Sequence, residues 1–566
     1  MKKIILKNNQ EVVKTIYWDD YFSENKNTIS LSDYVEKNDI KLKQKLIDLL
    51  NSIEEQNKEI IKNFKITKDF NFWSLTNFCE KNLYKKNKFF ELTKILAFDE
   101  IIKNENFSEA FIDIKDKNCE KILYKILNKK IKIKTFNIQE KLIFFFIELL
   151  SIIKGSYFIF SRYFINKNKR VFNKQYSLFI SFFSHINADS FNNNIYKSLF
   201  WGNLKKIVNM NFLHMFIKNN INKNYSALNS GLENFSNKSE IHNFLDSYLK
   251  KKTVFKIIKK AITIKINYHF NKKKFEIKFN NYNITSALLF DLNRSFMFYN
   301  IIIKLYYFYL FENFFRENNF NNSCFYIHEN QPWEKSLIYH WKKNNIKKIY
   351  GVISSSVRFW DLRFEKSNIN PDILLSNGND SFKKLQEFGF NKSELNIVES
   401  LRYKNITHSY STINSQNKNV LVLLDYSNTS NKILIDILNK INFSENLQLT
   451  LKNHPLNEYK NNIKFNYSEF NKKKLNKNYD LVICTNRTTA SVDYYLTGIK
   501  VAILIEPNYF NLSPLKGNDQ CSFFYDHNDL DQILKNINNN KSDFRSDFFM
   551  IDSNYSKWKE ILYNEK

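Results

Sequence analysis

Cysteine is scarce and scattered. Cys79, Cys119, Cys324, Cys484 and Cys521 never form a CxxC pair, which argues against both a disulfide framework and a zinc cluster. Glycine and proline are scarcer still for the length, 8 and 5 in 566 residues, and no Walker loop, GxGxxG, GxSxG elbow or HExxH occurs. The commonest ATPase, dehydrogenase and hydrolase readings fall with them. The start offers only the apolar run Ile4-Ile-Leu6 before Lys7, far short of a signal-peptide core, so a reducing cytoplasm is the expected setting. Acidic side chains are outnumbered, 57 Asp and Glu against 86 Lys and Arg, for a formal charge of +29. Such a field favours nucleotide phosphates, acidic glycans, anionic lipid headgroups or nucleic acid. No helix-turn-helix, zinc-finger spacing or RNP-like strand is present, so nucleic acid is not the expected partner. The abundance of Asn, Lys, Ile, Phe and Tyr follows the bias of an AT-rich coding sequence, and the lysine count alone selects no partner.

What is present suffices for folding: 43% hydrophobic and 16% aromatic residues in a chain too long for one core, so two domains and an insertion are expected. The opening reads as strands at Lys3 to Leu6 and Val13 to Trp18, then a helical pattern from Leu31 to Phe64. From about 135 to 320, aromatic and Lys-rich helical stretches predominate, with one alternating stretch near Thr263 to Phe279. This part reads as a largely helical insertion. Within it, Leu142 to Phe164 nearly matches a bilayer span but carries Glu148, Lys154 and Arg162, so a buried helix pair is expected. The sharper alternative is a helix lying in the inner-leaflet interface beside the basic flank Asn166 to Arg170.

Beyond the insertion, apolar strands alternate with helical spacing. Strands are expected at Cys324 to His328, Lys348 to Ile353, Asp372 to Ser376 and Leu395 to Val398, with helices at Gln331 to Asn344 and Asp380 to Phe388. A Ser/Thr/Asn-rich linker, 401–418, separates these from strands at Val420 to Leu424, Leu447 to Leu451, Asp480 to Cys484 and Val501 to Ile505. The expected fold is α/β and GT-B-like: two doubly wound Rossmann-like domains, 1–400 with the insertion and 419–566, whose ligands sit in the cleft between them.

Residues just past strand ends are the first candidates for chemistry. His454-Pro455 follows the strand ending at Leu451, where an imidazole can bond a phosphate oxygen or offset charge on a departing nucleotide. Thr485-Asn-Arg-Thr-Thr-Ala-Ser491 stands between a strand and a helix. There Asn486, Arg487, Thr488, Thr489 and Ser491 are candidate nucleotide contacts, against the plainer reading of ordinary helix capping. Glu334, in Glu329-Asn-Gln-Pro-Trp-Glu334, and Glu80, in Trp73 to Asn82, are candidate general bases from the acceptor side. A helix-dipole partner and a solvated helix surface are their respective plainer readings. Asp529-Leu-Asp531 has DxD spacing but sits at a helix start, so no metal is assigned.

The stretches Glu329 to Lys335, Gly351 with Val357-Arg-Phe-Trp-Asp-Leu-Arg363, Pro371 to Gly378, Glu399 to Tyr403 and Trp73 to Asn82 together resemble bacterial surface carbohydrate biosynthesis proteins related to capsule and lipopolysaccharide sugar transferases. The His-Pro pair and hydroxyl-rich loop are also similar to those of bacterial sialyltransferases and polysialyltransferases, where they bind the CMP part of the donor. The resemblance implies a GT-B-like fold and a role in lipopolysaccharide or related glycan assembly. The first expectation for the activity is an inverting, metal-independent transfer from a nucleotide sugar, a CMP-sugar among the candidates, to a glycan or glycolipid acceptor, with no further cofactor and a place in the cytoplasm or at the inner membrane face. His454 would contact phosphate, with Thr488, Thr489 and Ser491 lining the nucleotide site. Related sequences often read Gly-x-Gln-His where this chain has Gly351-Val-Ile-Ser-Ser-Ser356, a departure implying an altered acceptor or lost activity. The competing expectation is a non-catalytic assembly or scaffold protein of the same pathway.

Overall fold

The computed structural model describes residues 3–7, 13–20, 27–85, 88–103, 109–114, 116–127, 138–163, 169–182, 195–198, 200–201, 204–216, 232, 235–403, 417–455, 457–470, 479–507, 509–518, 521–537 and 548–564. Most of the expected linker, 404–416, and most of the basic flank, 166–168, lie outside them.

The two expected strands at the N-terminus form, as β1 (Lys3–Lys7) and β2 (Val13–Tyr17), but not in a Rossmann sheet. With β3 (Thr28–Ser30) and β4 (Glu109–Asp113) they make a small mixed sheet of order β3-β2-β1-β4. Helices Leu31–Lys37, Asp39–Gln56 and Phe89–Ile102 accompany this sheet. The sequence register explains the long one: Leu42, Leu46, Leu49, Leu50 and Ile53 recur at helical spacing and are buried.

The first doubly wound sheet begins inside the stretch expected to be a helical insertion. Its strands are β5 (Ser177–Phe182), β6 (Met210–Met215) and β7 (Glu240–Phe244), followed, after a small ribbon β8 (Lys278–Phe279) and β9 (Tyr282–Asn283), by β10 (Cys324–Ile327), β11 (Ile349–Val352), β12 (Ile373–Ser376) and β13 (Leu395–Ile397). The order β13-β12-β11-β10-β5-β6-β7 is parallel throughout and reverses between β10 and β5. The alternating stretch near Thr263 is not a strand but part of the helix Lys251–Asn271, because Val254, Ile257, Ala261, Ile264 and Tyr268 turn inward at helical spacing. Nor is 142–164 a buried helix pair. Its described part, 142–163, belongs to one helix, Ile138–Tyr163, packed along the helix Phe298–Glu317, and residue 164 lies outside the described residues.

The second sheet matches expectation closely: β14 (Lys418–Leu423), β15 (Leu447–Lys452), β16 (Ser468–Glu469), β17 (Leu481–Thr485), β18 (Lys500–Leu504) and β19 (Cys521–Phe524). Its order, β16-β15-β14-β17-β18-β19, is again parallel, with the reversal between β14 and β17. The apolar runs of β14 and β17 are buried on both faces, as parallel strands covered by helices must be.

The chain then crosses back. The segment from Phe548 passes so close to Gly378 that a Cβ there would overlap the Phe548 carbonyl oxygen. The last helix, Ser556–Asn564, seats Trp558 and Leu562 in a cluster with Phe325, Tyr350, Leu375 and Val398 of the first sheet. Two doubly wound sheets with a returning final helix complete the GT-B-like outline. All five cysteines are free.

Candidate functional site

The loop after β11 bonds the stretches after β17 and β18. Arg358, from the loop after β11, reaches from the first domain into the second. Its guanidinium donates to the Leu512 carbonyl (2.6 Å), to the Arg487 carbonyl (3.3 and 3.2 Å) and to Thr489 Oγ1 (2.8 Å). The Tyr84 ring lies between Arg358 and Arg363, 5.2 and 4.9 Å from their guanidinium carbons. Arg363 makes a two-pronged bond with Asp361 (2.7 Å each) and comes within 3.9 Å of Glu329. Trp360 packs on Phe510, centroids 4.3 Å apart. Farther out, Lys516 pairs with Glu36 and with Asp39 (2.8 Å), so the small N-terminal sheet's helices also grip the second domain.

On the C-terminal side, Arg487 is the centre. It donates to Ser430 Oγ, lies 4.0 Å from Glu506 and stacks over Tyr509 at 4.8 Å. Ser430 donates in turn to Glu506 Oε2 (3.1 Å), and Thr485 donates to Asp425 (3.3 Å). Glu506 follows β18 and is fully buried; that burial pushes its carboxyl up, partly opposed by Arg487. Asp425 follows β14, its loop tied by Asn431, which accepts from the Asp425 N–H and donates to its carbonyl (2.7 Å each). Asp425, Ser430 and Glu506 were not singled out in the sequence. Their positions just past β14 and β18 were the available signal.

The hydroxyls of the candidate loop 485–491 are already engaged within the protein. The helix Ala490–Tyr495 is only 6 residues long, and Thr489 gives it no side-chain cap. Thr489 is engaged by Arg358, Ser491 is buried with its hydroxyl donating to the Thr488 carbonyl (2.7 Å), and Thr488 shares a bond with Thr485 (3.1 Å). Asn486 is buried and donates to the Phe510 carbonyl (3.1 Å). The loop thus works first as an interdomain latch, with the Arg487 side chain as its charged group. His454 stands past β15 at the same end of the sheet, half-buried, its ring 6.2 Å from Tyr426. It bridges to Asn457 at this edge.

The two expected bases are both buried and engaged. Glu334 accepts from the Glu329 N–H with both oxygens (3.1 Å) and from the Asn330 N–H (2.9 Å), and stands 3.2 Å from His328. Burial pushes its carboxyl above the usual range. Glu80 accepts from Asn82 (3.1 Å) and pairs with Lys85 (2.6 Å). Among the described carboxylates of this loop, Glu329 is the accessible one, its side chain 41% exposed.

Near Glu80 lies Lys304, fully enclosed, its amine without a hydrogen-bond partner among the described residues; burial lowers it to about 7. A folded-state value below the unfolded 10.5 favours the neutral form, so folding loses stability as pH falls through that window. Lys304→Met is therefore expected to stabilise the fold by on the order of 2 kcal/mol at neutral pH. The gain should shrink as pH rises towards 10.5, which thermal unfolding at several pH values reads directly.

Ile353 and Ser354, where the resemblance led to Gln-His, line a small crevice beyond β10 to β13, with Trp558 on one side.

No protein-family model and no curated protein matches the chain. Solved structures that align with it include the glycotransferase of kitacinnamycin (7% identity, 69% of this chain and 95% of that one, TM-score 0.33). A putative UDP-N-acetylglucosamine 2-epimerase from Listeria monocytogenes aligns at 8% identity over 65% and 89%, TM-score 0.33. Anabaena Alr3699/HepE in complex with UDP and glucose aligns at 10% over 64% and 89%, TM-score 0.32. Likeness at this level passes none of their activities to this chain.

Proposed function

We propose that this chain is a glycosyltransferase of bacterial surface polysaccharide biosynthesis, lipopolysaccharide or capsule, which transfers a sugar from a nucleotide-sugar donor with inversion and without metal. The observation that carries the reading is the joining of two doubly wound domains by the run of contacts Glu329, Arg363, Tyr84, Arg358, Arg487, Ser430 and Glu506. Ligands of such sheets collect where the strand order reverses.

In this reading the donor's nucleotide occupies the edge formed by β14, β15 and β17. Arg487 supplies positive charge and His454 a hydrogen bond to the phosphate, which stabilises the leaving nucleotide as its negative charge grows. The acceptor, a glycan or glycolipid, enters from the β10 side. Glu329 is the carboxylate placed to take its hydroxyl proton, and Glu334, one loop beneath, holds the Glu329 backbone. Glu80 fixes the neighbouring loop through Lys85 and Asn82.

Titration calorimetry with CMP-, CDP-, UDP- and GDP-sugars tests this. One donor class should bind, and His454→Ala should weaken it by about tenfold or more with the fold retained, in line with the loss of a charge-assisted bond. Equal binding by the variant removes His454 from the site. The second reading, a non-catalytic assembly protein, is favoured by Ile353 and Ser354 in the crevice and by the engaged state of Glu80 and Glu334. It predicts that none of the four donor classes binds.

A further inference from the structure

The helix Ile138–Tyr163 is amphipathic the wrong way round for water. From Phe146 on, three of its polar side chains turn inward: Glu148 pairs with Lys265 (2.8 Å) and accepts from the Phe298 N–H (3.3 Å), Ser151 accepts from the Tyr299 N–H (2.9 Å), and Arg162 bonds Asp246 (2.8 Å). Gly155 presses against Phe298 and Tyr299 on the same side. Phe146, Leu150, Ile153, Tyr157 and Phe160 follow each other at spacings of four and three and face outward, Tyr157 at 75% exposure. Lys154 is the one charged side chain among the exposed positions from 146 to 160. Each such aliphatic or aromatic group forgoes the gain that burial would bring. An apolar stripe of this size on a soluble surface marks something that covers it.

The Lys265–Glu148 pair ties this helix to Lys251–Asn271, whose outward side carries Phe255, Ile262, Ile266 and Phe270, the last 73% exposed. Between 251 and 274 there are nine lysines and no acidic residue. Lys251, Lys252 and Lys259 are exposed and have no ion-pair partner among the described residues. Apolar side chains set among lysines suit an anionic lipid surface, where rings and aliphatic chains enter the headgroup boundary and ammonium groups meet phosphates. A second copy docked face to face would set lysine rows against lysine rows. Spanning is not the mode: among the described residues no helix is long and apolar enough to cross a membrane.

We propose that the outward faces of helices 138–163 and 251–271 form a docking surface for an anionic membrane, holding the protein in the headgroup plane. The proposal does not depend on the sugar-transfer reading, and its test is independent of nucleotide binding. The full chain is floated with vesicles of phosphatidylcholine alone and of phosphatidylcholine with phosphatidylglycerol, at low and high salt. It should partition to the anionic vesicles and be released as salt rises. Leu150→Glu with Ile153→Glu should cut the bound fraction by about tenfold or more. Each of Lys251→Glu, Lys252→Glu and Lys259→Glu should weaken it by about fivefold. Thermal unfolding checks that these surface variants stay folded. Failure of the parent chain to float, or variants that float like it, overturns the proposal. So does a sedimenting dimer that Ile153→Glu dissociates, which would assign the stripe to a second copy of this chain.

Discussion

Glu334→Ala is expected to cost about 4 kcal/mol of stability, the larger part of what an ordinary domain possesses. Its carboxylate accepts from the Glu329 and Asn330 N–H groups, and Asn330 sits in the left-handed region at φ +53. Alanine leaves two backbone donors, one of them buried, unsatisfied at roughly 1–3 kcal/mol each and opens a void beside His328. The left-handed turn then keeps only side-chain ties such as that of Asn330 to the Cys79 carbonyl (3.3 Å), and Glu329, which follows β10 by one residue beyond His328, is held less firmly. Glu334→Gln keeps one acceptor oxygen and should recover about half of the loss. Thermal and denaturant unfolding of the three proteins measures the series. A midpoint for the alanine variant within a few degrees of the parent would show that the loop is held by something else.

Trp558→Ala should be comparably damaging, about 3–5 kcal/mol, since the indole is fully buried where the chain crosses back to the first domain. Its ring packs against Phe325 at 6.2 Å, its Nε1 donates to the Glu399 carbonyl (2.9 Å), and its backbone N–H donates to Glu399 Oε2 (3.1 Å). Glu399 also accepts from the Lys557 N–H (2.7 Å) and from Ser556 (3.1 Å), so one carboxylate caps the entire helix start. With the indole removed the helix keeps its cap but loses its anchor. Hydrogen exchange should then report faster opening of 556–564 than of the second sheet, because local release needs less energy than global unfolding. Uniform loss of protection across both domains would instead mean that this helix is an integral part of the cooperative core.

The two halves of the molecule were unequally legible. β14 and β17 are unbroken apolar runs bounded by polar turns, and buried parallel strands have to look that way. β6 and β7 are just as buried but carry His214, Asn211, His242 and Asn243. His214 and His242 bond one another at 3.0 Å, and the two asparagines bond the Asn173 and Arg170 carbonyls. These polar side chains bond partners 28 to 73 positions away in sequence, so no local window marks the segments as core strands. The helix 138–163 shows the reverse. Its apolar positions were plain, and their outward direction was not, because Glu148, Ser151 and Arg162 claim the inner face through residues some 84 to 150 positions away.

At the candidate site the same division holds. The residues following β14, β15, β17 and β18 were placed at one edge by strand-helix alternation alone, since a parallel sheet must deliver every strand's carboxyl end to the same side. That put His454 and the stretch Thr485 to Ser491 at one edge of the sheet. Only the tertiary structure decided that Thr489 and Ser491 are already bonded, that Arg358 latches the domains together, and that Glu334 supports Glu329 from beneath. The reason is physical: strand order follows from short-range patterns of burial, whereas the availability of a hydroxyl or carboxylate depends on which distant donor has reached it first.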